Sequence, residues 1–525
     1  MHFLDAPVDG RGPSTTEGMA GVAAAGARCL AKASRFAIES QDADGAWRMP
    51  TQPRILENAV AVCSLAHIRG ERAARARARA VSWLRTATPQ RHDPFVAAAD
   101  RWLVEVATAD GAVPAFSELS AAAGPHSRRA LYLHALACAL GAPGAHAPQL
   151  LSDTEAALGH ERGSGLKPWQ RTMLLAFEAV ARSALGLPPA AGTLDAFRRA
   201  QSADGSYYGM PLVTGMLHLA LTRTAPDDPV THRCRESLFA DQHPDGTWRF
   251  MVSEVWDTGL MVRALRGHPD FDADALDAAQ AFLASAQNED GGWACGAALD
   301  SDNDTTGNTL LALAGTAWAD RVRATATAYA RRCRTEAGLW TTWHSSDDDP
   351  VPDVVAHMVA GIRAASLPGI DLDPARRWLA DREAQGHWPS DWYIPPAYGA
   401  AEISTLLPPG PHTRATTDAL LAAQRPDGGW PRVPGESHSS PAATGLAVTA
   451  LTHHRTAPRE AVERALWFLV DAQTDEGTWT DLPLMYGPRP FLSATGVQIH
   501  ALTARALRQT LTPARQPAQP AGADR

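Results

Sequence analysis

Gln287-Asn-Glu-Asp-Gly-Gly-Trp293 is the stretch that decides the fold, because it recurs. The pattern Gln-x-x-Asp/Glu-Gly-x-Trp/Tyr begins at Gln41, Gln201, Gln242, Gln287, Gln424 and Gln473, with degenerate copies opening at Arg334, Arg382 and Ala107. From residue 201 onward the starts are 41, 45, 47, 48, 42 and 49 residues apart. That period accommodates one helix, a turn, a second helix and a return. The intervening stretches, such as 443–451 and 461–470, place apolar residues at i, i+3, i+4 and i+7, the spacing of an amphipathic helix. In each motif Asp-Gly makes a tight turn with Gly at positive φ. The Gln side chain is suited to bonding backbone groups at a neighbouring helix end, and Trp to packing over the joint. The motifs are therefore read as structural. Helical hairpins repeated in this way bury a continuous core when several are joined, and an inner and an outer ring of them close into an α/α toroid.

Composition sets the outer limits. At 525 residues the chain is long enough for two or three domains, and 45% hydrophobic with 20% charged is a soluble globular balance. A net charge of −9 argues against nucleic acid as a partner. Six cysteines, widely spaced and without a CxxC pair, suit a reducing compartment and offer no zinc motif. The first residues carry acids and a proline where a secretory leader needs a basic segment and an apolar core, so the expected location is cytoplasmic. No run of 18 apolar residues exists to form an integral membrane segment.

A second segment, Asp302-Asn303-Asp304-Thr305-Thr306, carries the chemistry. Taken alone it reads equally as a polar turn in which Thr305 or Thr306 caps the following helix, or as two carboxylates and two hydroxyls forming a strong acid.

The repeated motif resembles the QW motif of the squalene–hopene cyclase and class II terpene cyclase superfamily, over about residues 25–510. Other stretches are similar to the same family: Glu254-Val-Trp-Asp-Thr-Gly-Leu260, Lys167-Pro-Trp-Gln-Arg-Thr-Met-Leu-Leu-Ala-Phe-Glu178, Pro352-Asp-Val-Val-Ala-His357 and Trp392-Tyr-Ile-Pro-Pro-Ala-Tyr398. The resemblance implies an all-α fold of two α/α-barrel domains with the active site between them. The expected division is an N-terminal segment 1–20, a γ-type domain 21–238, a β-type domain 239–511 and a disordered tail 512–525.

Class II cyclases protonate an alkene, usually from the middle Asp of Asp-x-Asp-Asp-Thr. By resemblance Asp304 is the general acid, Asp302 its polarising partner, and Thr305 or Thr306 takes over hydrogen bonding where a third acid is usual. The frame Asp300-Ser301-Asp302-Asn303, with Asp302 as donor, stays open. The Asp-x-Asp-Thr-Thr departure resembles family members that form drimane-type bicyclic sesquiterpenes. It implies farnesyl diphosphate as substrate and drimenyl diphosphate as product, with a copalyl-type diphosphate from geranylgeranyl diphosphate as the alternative.

A carbocation needs aromatic walls, for which Trp256, Trp343, Trp392, Tyr393 and Tyr398 are the candidates. For the terminating base Asp353, His344 and His357 are open. The acidic run Ser346–Asp353 contains two prolines and reads as a loop, not as a helical diphosphate-ionising motif, so the product is expected to keep its diphosphate. Class II enzymes bind Mg²⁺ and the diphosphate through an acidic γ-domain motif. At the matching place stands Gln90-Arg-His-Asp-Pro94, leaving Asp93 as the candidate Mg²⁺ ligand and Lys167 as a candidate phosphate contact. Partners are expected to be a prenyl diphosphate and no nucleic acid, with a homodimer among the candidate assemblies. A prenyltransferase β-subunit and a non-catalytic toroid are the competing classes.

Overall fold

The computed structural model describes residues 17–511 except 110–112, 118, 120–127, 161–165, 298, 344–348 and 488. His344 and residues 346–348 of the acidic run therefore lie outside the described residues, as do the tail 512–525 and most of the N-terminal segment. The protein is mostly helical; the described strands are one short hairpin, Met485–Tyr486 with Leu492–Ser493.

Prolines open many of the helices. Pro94, Pro168, Pro211, Pro352 and Pro441 stand in the first turn, where the missing N–H costs nothing. Six inner helices of the second unit, Glu254–Leu265, Asn303–Leu313, Pro352–Ala364, Pro396–Glu402, Pro441–His454 and Gly496–Leu511, each pack on the next, and the last packs on the first. An outer layer surrounds them: Ala273–Ser285, Ala317–Arg332, Asp373–Ala380, Pro411–Ala423 and Arg459–Asp471. In the first unit, Pro211–Thr224 packs against Ile55–Leu65, Arg128–Leu140 and Pro168–Ala184, with Glu71–Leu84, Ala147–His160, Thr193–Ala200 and Pro229–Ala240 outside.

The repeats hold the layers together as their chemistry requires. The indole Nε1 of Trp47, Trp248, Trp293, Trp340, Trp430 and Trp479 each donates to a carbonyl ten residues earlier, in the outer helix that the motif terminates. Burying a full indole while satisfying its one polar atom makes these large, uncompromised core contributions. The glutamine amide makes two bonds, one within its own turn and one to the next outer helix. Gln424 Nε2, for instance, reaches Gly428 O at 2.9 Å and Ala461 O at 2.8 Å. At Gly291, φ is +88° and an added Cβ would stand 2.4 Å from Thr325 O, so the outer helices approach the turn too closely for any side chain.

The domain boundaries differ from expectation. One core holds Ile55 to Trp248 with Phe491; the other holds Val22 to Trp47 together with Val255 to Leu507. The helix Glu17–Glu39, expected in the first unit, packs on Arg459–Asp471 and Gly496–Leu511 and completes the outer layer of the second barrel. Gln473 Nε2 donates to Cys29 O at 2.9 Å, and Gln41 Nε2 to Ala275 O at 2.9 Å, so the motifs run through this helix without a break. Repeat counting assigns a segment by its order in the chain; the apolar face of this helix found the gap in the other ring. The end of the first unit likewise moves past residue 238 to the buried Trp248.

Candidate active site

Between the two units lies a cavity of about 690 Å³ walled by both. Met173, Phe177 and Leu212 come from the first, and Phe250, Trp256 and Trp392 from the second or from the joining segment. Asp302 and Asp304 open onto it from the first turn of the helix Asn303–Leu313.

The segment does form a capped helix start, but the cap is Asp302 and not Thr305 or Thr306. Asp302 is the helix cap: its Oδ1 accepts from Thr305 N at 2.6 Å and its Oδ2 from Thr305 Oγ1 at 2.9 Å. Thr306 Oγ1 donates to Asp302 O at 2.7 Å and accepts from Trp293 N at 3.0 Å, tying the acidic turn to a repeat tryptophan. Burial raises the Asp302 carboxyl to about 7 against the downward pull of the Thr305 N–H, and the Asp304 charge adds to the rise. With both oxygens accepting, Asp302 is poorly placed to give up a proton.

Asp304 is differently held. Its Oδ1 lies 2.5 Å from His357 Nδ1 on the helix Pro352–Ala364, while Oδ2 has no hydrogen-bond partner among the described residues. A donor behind one oxygen stabilises the anion left after proton transfer, and the other oxygen is left for the proton. His357 is 1% exposed. Burial lowers its pKa, but the charges of Asp304 and Glu402 outweigh that and take it to about 9. Glu402 Oε2 stands 3.5 Å from His357 Nε2 and 2.7 Å from Arg263, and Oε1 pairs with Arg505. The two arginines hold Glu402 well below the usual carboxylate range against its burial. Because Glu402 faces the far side of the imidazole, the positive charge on His357 does not depend on Asp304 alone.

A pH dependence follows. His357 binds its proton more tightly in the folded chain than at its ordinary value of 6.5. Its stabilising effect is therefore complete below about pH 6.5 and is lost as the pH rises through about 9. The melting temperature of the wild type is expected to fall across this window more steeply than that of His357→Gln. Parallel curves would show that His357 carries no extra proton.

Of the expected aromatics, Trp256, Trp343, Trp392 and Tyr393 face the cavity. Trp343 meets Trp392 edge-on at 5.8 Å and Trp169, from the first unit, at 6.3 Å. Tyr398 does not line it. It lies behind Tyr393, stacked at 3.9 Å, with its hydroxyl 3.4 Å from His357 Nε2. Two expected base candidates have other partners: His357 holds Asp304, and Asp353 Oδ2 accepts from Ser390 Oγ, Asp391 N and Trp392 N, fixing the segment that presents Trp392. Pro352 opens the helix that carries Asp353, so the acidic run ends in a helix start.

Lys167 is on the cavity wall. Asp93 is not: its Oδ1 accepts from Phe95 N at 2.7 Å and Val96 N at 3.3 Å, capping the helix Pro94–Thr108. An Asp before a Pro-initiated helix commonly serves as its cap. Glu402, Arg263, Arg505 and Arg489, all at this site, carried no signal in the sequence, because isolated charges in apolar helices or loops have no motif.

Comparison with known proteins agrees with this geometry. Residues 211–343 match the model of the squalene–hopene cyclase C-terminal domain. A drimenyl diphosphate synthase of Streptantibioticus cattleyicolor is 30% identical over 312 residues, which span 52% of this chain and 56% of that relative. Another, of Streptomyces showdoensis, is 26% identical over 516 residues, 89% of this chain and 91% of that one. Among solved structures, ent-copalyl diphosphate synthase from Streptomyces platensis has the same fold, with a TM-score of 0.56 at 17% identity over 93% of this chain and 99% of that one. Along most of its length the chain is thus similar to class II terpene cyclases, and residues 211–343 match the C-terminal domain of the squalene–hopene cyclases. No helix among its described residues is long and apolar enough to cross a membrane.

Proposed function

We propose that this chain protonates the terminal alkene of farnesyl diphosphate from Asp304, closes two rings and releases drimenyl diphosphate, with the diphosphate retained. The observation that carries the reading is the carboxyl of Asp304, open to an aromatic cavity on one side and backed by His357 at 2.5 Å on the other. A proton is added at one end of the polyene and another is lost at the close, so the product is an isomer of the substrate. Aromatic faces stabilise the intermediate cation without offering it a nucleophile. Thr305 supports the sesquiterpene choice by resemblance. Physically, it replaces a third like charge with a hydroxyl donor to Asp302 at 2.9 Å. The curated relatives bear the same name as the proposed activity at 26–30% identity. The reading places the enzyme in the cytoplasm.

Likeness in fold to a copalyl diphosphate synthase makes geranylgeranyl diphosphate the second reading. Incubation with each prenyl diphosphate, then phosphatase treatment and mass analysis, separates the two. The expected outcome is a bicyclic C15 alcohol from farnesyl diphosphate; a C20 bicycle formed in preference would replace the first reading with the second.

A further inference from the structure

The segment Gln90–Pro94, where the resemblance anticipates metal-binding acids, is occupied with a different task. Gln90 grips the backbone of Leu492 in both directions: Nε2 donates to its carbonyl at 2.9 Å, and Oε1 accepts from its N–H at 2.9 Å. His92 Nε2 meets Pro490 O at 2.9 Å, and the His92 ring lies 6.2 Å from Tyr486. Arg54, held by Glu57 at 3.0 Å, donates to Gly487 O and Leu492 O. Three side chains of the first unit thus latch the hairpin region 485–493 of the second. Apart from the His92–Tyr486 ring contact they do so through backbone atoms, and the side chains of Met485, Tyr486 and Arg489 line the cavity. The Arg489 guanidinium lies 5.0 Å from the centre of the Tyr486 ring and 5.9 Å from that of Trp392, and 3.2 Å from Asp391.

We propose that Arg489 binds the diphosphate of the substrate, that Gln90, His92 and Arg54 position it through the hairpin, and that this binding needs no divalent metal. The proposal rests on a prenyl diphosphate being the substrate, as read above. A guanidinium offers a planar fork of donors matched to phosphate oxygens, and this one lies against the rings of Tyr486 and Trp392. Its present partner Asp391 is a half-exposed carboxylate, and a surface pair of that kind is weak, so exchange for a multiply charged diphosphate is favourable. Lys167 adds a second cation to the lining of the same cavity. Mg²⁺ would neutralise the same charge but asks for carboxylates. Asp93 is a helix cap, and Gln90 and His92 are not carboxylates. Among the described residues, the remaining acids on the wall outside the catalytic turn are Asp153, which accepts from Gln149 Nε2 at 2.8 Å, and Asp300.

Calorimetric titration of the full chain with inorganic diphosphate in EDTA tests this apart from catalysis. Binding is expected in EDTA, weakened at least about tenfold by Arg489→Ala, mostly restored by Arg489→Lys, and weakened by Gln90→Ala with the far-ultraviolet spectrum unchanged. Absence of binding in EDTA overturns the proposal, whether or not Mg²⁺ restores it through Asp153 or Asp300. So does equal affinity in Arg489→Ala. Failure to turn over any prenyl diphosphate would count against the proposed function instead and leaves this binding result standing.

Discussion

Replacing Asp304 by Asn is expected to lower cyclisation by on the order of 10³-fold, with a lower melting temperature from the lost pair with buried His357 and a diphosphate affinity near wild type. An amide keeps the shape and an acceptor for His357 Nδ1 but has no proton acid enough for an alkene. The hydrogen bonds that fold the turn belong to Asp302, Thr305 and Thr306 and do not involve the Asp304 side chain. Activity of Asp304→Asn within tenfold of wild type would remove the acid assignment. The alternative frame makes the opposite forecast, with Asp302→Asn the inactive variant and Asp304→Asn only impaired. Product mass spectrometry across both variants therefore decides between the two carboxylates, and a melting curve for Asp302→Asn separates lost capping from lost chemistry.

A chain shortened to begin at Gln41 is expected to lose soluble, active protein altogether, although every residue of the catalytic turn remains. The cut removes the helix Glu17–Glu39 and with it the buried Val22, Cys29, Leu30, Ala33 and Ala37. It strips Trp47 of its acceptor at Ala37 O and Gln473 of its acceptor at Cys29 O. Five apolar side chains at about 1 to 3 kcal/mol each, with orphaned polar groups beside them, approach the whole stability of a typical domain. Size-exclusion chromatography and a thermal melt check the outcome. A monodisperse, fully active shortened chain would mean that the second barrel closes without this helix.

The repeat made the fold legible because each motif prints its structural role in three residue types: the turn in Asp-Gly, the joint in Gln, the lock in Trp. It could not say which ring a helix joins. Glu17–Glu39 shows why, since an amphipathic helix specifies a face to bury and nothing about which distant groove receives it. The site divides in the same way. Asp302, Asp304, Thr305 and Thr306 form a local turn, and their spacing conveyed their bonding. His357 was visible only as a candidate base, because its contact with Asp304 joins two inner helices 53 residues apart in sequence. Glu402, Arg263 and Arg505 meet only after the ring has closed, each from a different helix, so no window of sequence contains them together.

The placement of Glu17–Glu39 also orders events during synthesis. That helix leaves the ribosome before the other described elements, yet its packing partners Arg459–Asp471 and Gly496–Leu511 arrive roughly 450 residues later. At about 5 to 20 residues per second, its apolar face waits on the order of 20 to 90 s for cover. Residues 55–248 meanwhile contain all of one core but Phe491 and can fold inside that interval. The polypeptide is thus a nested design, one barrel inserted into the reading order of another, and the outer one stays open until translation is nearly done. Nascent chains stalled before residue 459 should therefore be the species that chaperones hold longest.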